Sequence, residues 1–279
     1  MSDWGKGVNN NIGWGQGANN DIGWGSIYDK SNAGETLLSG PGFDSDYQAV
    51  LDFATSEGDT LPSASQQILQ NNVVLSLKDK GLWNKKDVFG LFATNGNVDF
   101  ALICWKRLIK MDAINSPFFS ANSGFTGNGT SSYIDTKFKP LDDGVQYTQN
   151  NAGLSANVAS GSGYVVGNSS GASGNQRMRI GGSDTMINGG LFDVTPYFQT
   201  GNLHLDRISS TEVFTQQDNS ITSSETSTST SLQNNEIWLL KITSVESSAN
   251  IKAFSARASF TETEKNDYNL IINTYLNAL

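Results

Sequence analysis

Short runs in which apolar and polar residues alternate dominate the chain from about residue 88 onward. Such alternation places one face of a strand against a core and the other toward solvent, and Gly- or Asn-rich turns separate the runs. Many short strands at this spacing predict a mainly β protein built as a two-sheet sandwich. The predicted strands are Val88–Ala93, Asp99–Trp105, Ser131–Phe138, Gly153–Ala159, Tyr164–Gly167, Gln176–Ile180, Leu203–Ile208, Thr211–Thr215, Glu236–Ile242 and Ile251–Phe260.

Residues 221–232 leave two interpretations open. Nine of these twelve residues are Ser or Thr. The composition favours a mobile loop or a ragged hairpin, which we prefer, whereas the β-branched content would also suit an exposed edge strand.

Two helices are predicted before the strands. Ser45 and Gln48 have the spacing of a capping box, and so do Ser63 and Gln66, which follow Pro62. In the second helix, an apolar stripe is expected at Ala64, Ile68 and Leu75. These helices would form a small collar beside the sandwich, or pack on it as a lid.

A third helix is predicted at the C-terminal end. Thr261 and Glu264 form a capping box, and a broad apolar stripe follows it. The stripe is expected to dock on the sandwich; it comprises Tyr268, Ile271, Ile272, Tyr275 and Leu279.

A ten-residue repeat opens the chain. Trp4, Trp14 and Trp24 each begin a Trp-Gly unit, and Ile12 and Ile22 form a second series with the same spacing. A unit this short cannot bury a Trp by itself, so the copies must stack on one another, on other chains or on another structure. We therefore predict an anchoring or oligomerisation segment; a flexible Gly/Asn-rich tail is the alternative.

The net charge and the length of the apolar stretches argue against two classes of partner, nucleic acids and membranes. The formal net charge is −9, and residues 1–60 hold nine acidic residues against Lys6 and Lys30. A nucleic-acid-binding face is therefore not expected. The longest apolar stretch, Val98–Trp105, is far shorter than the roughly 20 residues of a membrane helix, so membrane insertion is not expected either. The first residues also lack the pattern of a secretory leader.

Catalytic motifs are not apparent in the sequence. Cys104, the single cysteine, lies in an apolar run, and His204, the single histidine, lies in a strand-like context without a nucleophile elbow. The acidic pairs that a jelly-roll glycosidase would need are better explained as a turn at Asp142-Asp143 and as a helix start at Glu262 and Glu264. We therefore predict no enzymatic activity, no cofactor and no metal site, with a structural calcium ion near Asp142 or Asp218 left open.

Four stretches carry a resemblance to a known family. They are Asp87–Gly96, Asp99–Lys106, Asn115–Phe118 and Gly124–Thr136, and they resemble virion and fibre proteins of phages that infect Bacteroidetes-type bacteria. Phe254-Ser-Ala-Arg257 and the helix after it resemble the closing elements of the concanavalin-like, laminin-G-like jelly rolls of those proteins. The resemblance covers roughly residues 40–279, and it includes no sugar-site motif.

The resemblance implies a spike or fibre subunit on the particle surface. Such a subunit would be a homo-oligomer, with a trimer favoured and a pentamer possible, and its N-terminus would contact other virion proteins. Its jelly-roll head would bind a host-surface glycan or receptor. The alternatives are a capsid-decorating or cementing protein without receptor binding, and a glycan-active hydrolase.

Ligand contacts are expected from aromatic and amide side chains in the turn-rich part of the chain, because sugars stack on rings and bond to amides. The candidates are Tyr147, Asn150, Tyr164 and Tyr197, with Asn151 and Trp238 in the wider set. We divide the chain into an anchoring segment at residues 1–34, a helical collar at 35–87 and a jelly roll with its C-terminal helix at 88–279.

The repeat generates a first prediction. Replacing Trp4, Trp14 and Trp24 together by Ser is expected to lower the native mass of the full chain, because the stacking surface of each unit is lost. Light scattering on the wild type and the triple variant measures this. An unchanged native oligomer in the variant would contradict the anchoring role.

Overall fold

The computed structural model describes residues 42–168 and 176–279. Within them, Phe43–Leu279 form one compact unit. The anchoring residues predicted from the repeat, Trp4, Ile12, Trp14, Ile22 and Trp24, lie outside the described residues, so their role stays a prediction.

Five helices and nineteen strands are found in the described residues. The helices are α1 (Ser45–Ser56), α2 (Ala64–Asp79), α3 (Val98–Ala101), α4 (Pro140–Asp143) and α5 (Glu262–Asn277). The strands up to the undescribed segment are β1 (Lys86–Leu91), β2 (Ile103–Cys104), β3 (Ile109–Lys110), β4 (Asp112–Ile114), β5 (Phe118–Ser120), β6 (Gly124–Thr126), β7 (Tyr133–Asp135), β8 (Ala152–Ser160) and β9 (Gly163–Asn168). The strands after it are β10 (Gln176–Ile180), β11 (Asp184–Ile187), β12 (Phe192–Asp193), β13 (Gly201–Arg207), β14 (Glu212–Gln217), β15 (Ser220–Thr226), β16 (Ile237–Leu239), β17 (Lys241–Ile242), β18 (Val245–Glu246) and β19 (Asn250–Arg257).

Two antiparallel sheets form the sandwich, which confirms the predicted jelly-roll architecture. The first sheet has the strand order β15-β14-β13-β8-β19-β6-β5, with β1 also paired to β19. The second has the order β12-β11-β10-β9-β16-β7-β4. Leu154, Leu205 and Phe254 of the first sheet pack against Val166 and Leu239 of the second in one apolar core.

The Ser/Thr-rich segment combines both interpretations, whereas the region after Asn97 differs from the prediction. Ser220–Thr226 form β15 at the edge of the first sheet, in a hairpin with β14 whose register shifts between Thr215 and Gln216. The strand predicted at Asp99–Trp105 is wrong in its first half, which forms α3. The Asn97 side chain accepts a hydrogen bond from the Phe100 backbone N–H at 2.9 Å, and this cap favours a helical turn.

The helices cover the outer side of the first sheet instead of forming a separate collar. α1, α2 and α5 share a second apolar cluster with Phe89 and Leu91 of β1 and Ala253 of β19. Among the described residues, this cluster takes no strand residue from the second sheet. Within the collar predicted for residues 35–87, α1 and α2 thus pack as a lid, because amphipathic helices need an apolar surface to cover.

The stripe predicted for α2 faces the wrong way. Ile68 and Leu75 are 46% and 41% exposed, whereas Gln70 is fully buried. The Gln70 amide accepts a hydrogen bond from the Tyr47 hydroxyl at 2.7 Å and donates to the Tyr275 hydroxyl at 3.2 Å. A buried amide is tolerated when its hydrogen bonds are made, so polar residues can occupy the inner face of this helix.

Beneath α5, polar side chains continue across three strands of the first sheet. Gly153 of β8 pairs with Asp206 of β13 on one side and with Arg257 of β19 on the other. Arg257 Nη1 lies 2.5 Å from Asp206 Oδ1, and both side chains are fully buried. A Cβ atom at Gly153 would lie 2.0 Å from Arg257 Nη1, so a glycine is required there.

His204 lies in the next row of the same surface and is held as a neutral imidazole. Ser155 Oγ accepts hydrogen bonds from Arg257 Nε at 3.0 Å and Nη2 at 2.8 Å, so its own proton is free for His204 Nδ1, 2.8 Å away. His204 Nε2 then donates to Asn269 Oδ1 of α5 at 2.7 Å. Burial, and then the Arg257 charge, lower the pKa of His204 to about 3.

His204 is therefore an interior hydrogen-bonding residue. Its side chain has no exposed surface, so a substrate at the protein surface does not reach it. The strand-like context expected for His204 is present, since it lies in β13. None of the described helices is long and apolar enough to cross a membrane.

His204 makes the stability depend on pH. The unfolded chain takes up a proton near the ordinary histidine pKa of about 6.5, whereas the folded chain does not, so the folded state loses stability as the pH falls below that value. Between pH 6.5 and 5 we expect a loss of about 2 kcal/mol in the free energy of unfolding. Because the chain has a single histidine, the effect is specific.

Urea denaturation at pH 7 and pH 5 measures this dependence, with His204→Gln as the control that lacks the titrating group. The same loss in His204→Gln would contradict the assignment. The imidazole NMR signals of the wild type are an independent check, since they should not titrate between pH 7 and 5.

Candidate functional site: the open face of the second sheet

The outer side of the second sheet is the sheet surface that the helical layer leaves uncovered. Core residues such as Ile134, Met178 and Leu239 point inward from it, so their strand neighbours point outward. We call this surface the open face and define it by the outward side chains of β7, β9, β10, β11 and β16 together with the β17–β18 hairpin: Tyr133, Tyr164, Arg177, Arg179, Asp184, Trp238, Lys241 and Glu246.

Two aromatic rings lie side by side on β7 and β16 of the open face. The ring centroids of Tyr133 and Trp238 are 4.8 Å apart, and Lys241 Nζ lies 4.6 Å from the centroid of Tyr133. Lys241 also forms an ion pair with Glu246 at 3.0 Å across the hairpin. These contacts fix the orientation of both rings while leaving each partly exposed.

A second group, centred on Asp184, lies on the neighbouring strands. The Tyr164 hydroxyl donates a hydrogen bond to Asp184 Oδ2 at 2.6 Å, and Arg177 and Arg179 contact the same carboxylate at 3.1 and 2.9 Å. Burial alone would raise the pKa of Asp184, but the hydrogen bond from Tyr164 and the Arg179 guanidinium outweigh it and hold this pKa below its usual range. Asp184 is therefore a fixed anion that orients the Tyr164 ring.

The hairpin and the Tyr164 group enclose a cleft of about 470 Å³. Tyr164 and Arg179 form one wall, and Val245 and Glu246 of the hairpin contribute another. An aromatic ring, a guanidinium and a carboxylate thus line one opening. This combination suits a hydroxylated ring, which stacks on the aromatic side chain while its hydroxyl groups bond to the charged ones.

Gly167 holds the hairpin against the sheet. This residue pairs with Trp238, so a side chain would point outward from the open face. A Cβ atom there would lie 2.5 Å from the backbone oxygen of Lys241 and 2.7 Å from Cβ of Ile242. The close approach requires glycine, and with it the hairpin forms a wall of the cleft.

Of the four ligand candidates from the sequence, Tyr164 lies on the open face. Tyr147 is fully buried, and its hydroxyl donates to Asn188 Oδ1 at 3.1 Å, so its ring is not available at the surface. Asn150 is exposed and accepts a hydrogen bond from Ser229 Oγ at 2.6 Å. Tyr197 is 47% exposed in the loop after β12. The structure thus does not bring the four together.

Sequence reasoning missed the charged members of the open face. Arg177 and Arg179 are two residues apart in β10, and this spacing places both on one side of a strand. That signal was present in the sequence. The contribution of the hairpin was not, because it depends on how Leu240 turns the chain back over Gly167 with a φ of 68°.

Metal ligation finds no support in the part of the chain described: residues 42–168 and 176–279 contain no group of three or more His, Cys, Asp or Glu side chains arranged to hold an ion. Asp143 contacts Arg107 at 3.3 Å, and Asp218 accepts from the Asn202 backbone N–H at 2.9 Å. Both carboxylates therefore have protein partners.

Comparisons with known proteins identify a shared fold and no family. The sequence matches no protein-family model and no curated protein. A sialidase of Trypanosoma rangeli in complex with sialic acid is similar in structure at 11% identity and a TM-score of 0.45, over 75% of this chain and 39% of the sialidase. The botulinum neurotoxin serotype D binding domain is similar at 9% identity and a TM-score of 0.46, over 68% of this chain and 52% of that domain.

Domain 4 of an extracellular arabinanase from Geobacillus stearothermophilus, in complex with arabinotriose, is more distant, with 12% identity and a TM-score of 0.33. This chain spans about two fifths of the sialidase and about half of the toxin domain. At these identities the likeness concerns the fold, and no site residue is transferred from it.

The prediction that the chain is not an enzyme is corrected by the same comparison. The prediction rested on the missing catalytic motifs and on acidic pairs that were explained as a turn and a helix start. Sialidases, which are glycoside hydrolases, are among the structures similar to this chain, together with binding domains. The sandwich therefore does not separate the two classes, and missing motifs do not exclude catalysis.

Gly167 allows a direct test of how the cleft is built. Gly167→Ala is expected to lower the free energy of unfolding by about 1–3 kcal/mol, because the added methyl group displaces the hairpin backbone. Gly190→Ala is the matched control, since no atom lies within 4 Å of a Cβ atom at that position. Urea denaturation of both variants measures the difference, and equal stability of the two would contradict the packing described.

Proposed function

We propose that this chain is an attachment protein of a virus particle whose β-sandwich head binds a host-surface glycan on the open face. The observation that carries the glycan part is the cleft of about 470 Å³ lined by Tyr164, Arg179 and Glu246, on the face that also carries the Tyr133 and Trp238 rings. The virion part is supported by the sequence resemblance alone.

Three features of the open face favour a saccharide as the ligand. The rings of Tyr133, Tyr164 and Trp238 offer stacking surfaces, and most of their polar neighbours are already held in ion pairs. Pre-oriented side chains lose little conformational freedom on binding, which strengthens the binding of a weakly interacting ligand. The cleft volume of about 470 Å³ would also accommodate one residue of a longer saccharide chain.

Particle attachment and assembly are further parts of the proposal. The Trp-Gly repeat would attach the chain to other virion proteins, and the head would be displayed as a homo-oligomer, with a trimer favoured and a pentamer possible. Proteomics of particles purified from the source culture tests this part. The chain is expected among the structural proteins, and its absence from intact particles would contradict a virion role.

Glycan binding is tested with the full chain on an array of bacterial and animal surface glycans. The wild type is expected to bind at least one glycan. Tyr164→Ala should weaken that binding at least tenfold, about 1.4 kcal/mol, because the ring wall of the cleft is lost. Phe118→Ala is the matched control, since it removes an exposed aromatic ring on β5 of the first sheet.

Two outcomes would contradict the proposal. One is the absence of binding to any glycan on the array. The other is equal affinity of Tyr164→Ala and the wild type, which would place the glycan elsewhere on the protein.

A further inference from the structure

A second cavity lies on the opposite side of the sandwich, between the first sheet and the beginning of α5. Its volume is about 600 Å³, and we call it the α5 cavity. Phe214 of β14 and Phe260, just before α5, line it together with Lys85, Asn151, Glu262 and Lys265. None of these residues belongs to the open face.

Buried charge next to the α5 cavity is not balanced. The side chains of Arg257 and Asp206 have no exposed surface, and that of Lys265 is 5% exposed. Asp206 is the carboxylate that both cations share, at 2.5 Å from Arg257 and 3.5 Å from Lys265. Two positive charges and one negative charge leave an excess of one positive charge, which is costly away from water unless another anion is close.

Lys265 is also short of hydrogen-bond acceptors. An ammonium group has three donors, yet within residues 42–168 and 176–279 the polar contact of Lys265 Nζ is the one to Asp206. The carboxylate of the neighbouring Glu264 is already used by Lys85, at 2.5 Å, and by the Thr261 backbone N–H, at 2.9 Å. The remaining donors of Lys265 are thus free for a ligand in the cavity that this residue lines.

Two buried ionisable groups near the Arg257–Asp206 ion pair have lowered pKa values. The pKa of His204 is lowered first by burial and then by Arg257, with a smaller contribution from Lys265. The pKa of Lys86 is lowered well below its usual range by burial and then by Arg257. The Lys86 amine is fully buried, makes no hydrogen bond and lies 4.4 Å from the Tyr268 ring centroid. Burial is the largest cause of both shifts, and the Arg257 charge adds to it.

The other walls of the α5 cavity combine apolar, amide and hydroxyl groups with the charged side chains of Lys85 and Glu262. Lys265 Nζ lies 5.9 Å from the centroid of the Phe214 ring, and the side chain of Ile208 is 42% exposed at the same opening. Asn151 and Gln146 add amide groups. Such walls suit a ring that covers Phe214 and Ile208, with its charged group directed toward Lys265.

We propose that the α5 cavity binds a small organic anion, in which a carboxylate, sulfate or phosphate group reaches Lys265 and a ring packs on Phe214. The anion would balance the buried charge of Arg257, Asp206 and Lys265 and supply the acceptors that the ammonium lacks. This site is independent of the glycan cleft, because it lies on the other sheet.

Isothermal titration calorimetry of the full chain with ring acids tests the proposal. The probes are glucuronate and benzoate, each compared with a neutral analogue, glucose and benzamide. At least one acid is expected to bind, at least tenfold more tightly than its neutral analogue. Preference for glucuronate would identify a sugar acid as the ligand class, and preference for benzoate an aromatic acid.

Variants separate this site from other sources of binding. Lys265→Met, which keeps the aliphatic packing, should weaken binding of the acid at least tenfold, and so should Phe214→Ala. Lys80→Met is the matched control, because it removes a lysine that faces Asp267 at 3.5 Å in the helical layer, away from the cavity. Tyr164→Ala should have no effect, so a failure of this proposal is distinguishable from a failure of glycan binding.

The proposal is overturned if neither acid binds, if the neutral analogues bind equally well, or if binding survives in Phe214→Ala and in folded Lys265→Met. Should Lys265→Met fail to fold, Phe214→Ala alone decides, since Phe214 is part of the proposed contact and its ring is partly exposed.

Discussion

The buried ion pair between Arg257 and Asp206 is the constraint on which the architecture depends. The two side chains come from β19 and β13, on either side of Gly153 of β8, and they lie on the outer side of the first sheet. An ion pair withdrawn from water is tolerated only when its remaining donors and acceptors are satisfied. Ser155 and the backbone N–H of Phe260 supply part of this, and α5 closes the surface above them.

The sandwich is asymmetric because α1, α2 and α5 cover the outer side of the first sheet. The polar surface around the ion pair and His204 could not face an apolar layer, so α5 contributes Asn269 as a partner. α1 and α2 then cover the adjoining apolar surface of β1 and β19. In the described part of the chain, no helical layer covers the outer side of the second sheet, where aromatic rings and ion-paired side chains are partly exposed. The same arrangement that stabilises one face therefore leaves the other free for recognition.

The sequence predicted elements well where the signal is local. The capping box of Thr261 and Glu264 and the strand Gln176–Ile180 are present as expected. The prediction was wrong where distant contacts decide. Gln70 is buried because Tyr47 and Tyr275 satisfy its amide, and no pattern within α2 reveals partners so far apart in the chain.

The candidate site was predictable only in part. Tyr164 belonged to the set of aromatic residues expected to contact a ligand, and the spacing of Arg177 and Arg179 already placed them on one face of a strand. The cleft itself depends on the packing of the hairpin over Gly167. The excess charge beside Lys265 depends on β13, β19 and α5 meeting at one place. Such features depend on the details of the tertiary fold. The sequence pattern predicted only the fold class, a two-sheet β-sandwich.

Hydrogen–deuterium exchange of the full chain, with and without the glycan that it binds most tightly, is the most direct test of recognition by the uncovered sheet. The glycan is expected to slow amide exchange in β9, β10 and the β17–β18 hairpin and to leave α2 and α5 unchanged. Protection confined to the helical layer, with no change in those strands, would contradict the central claim that the open face is the binding surface.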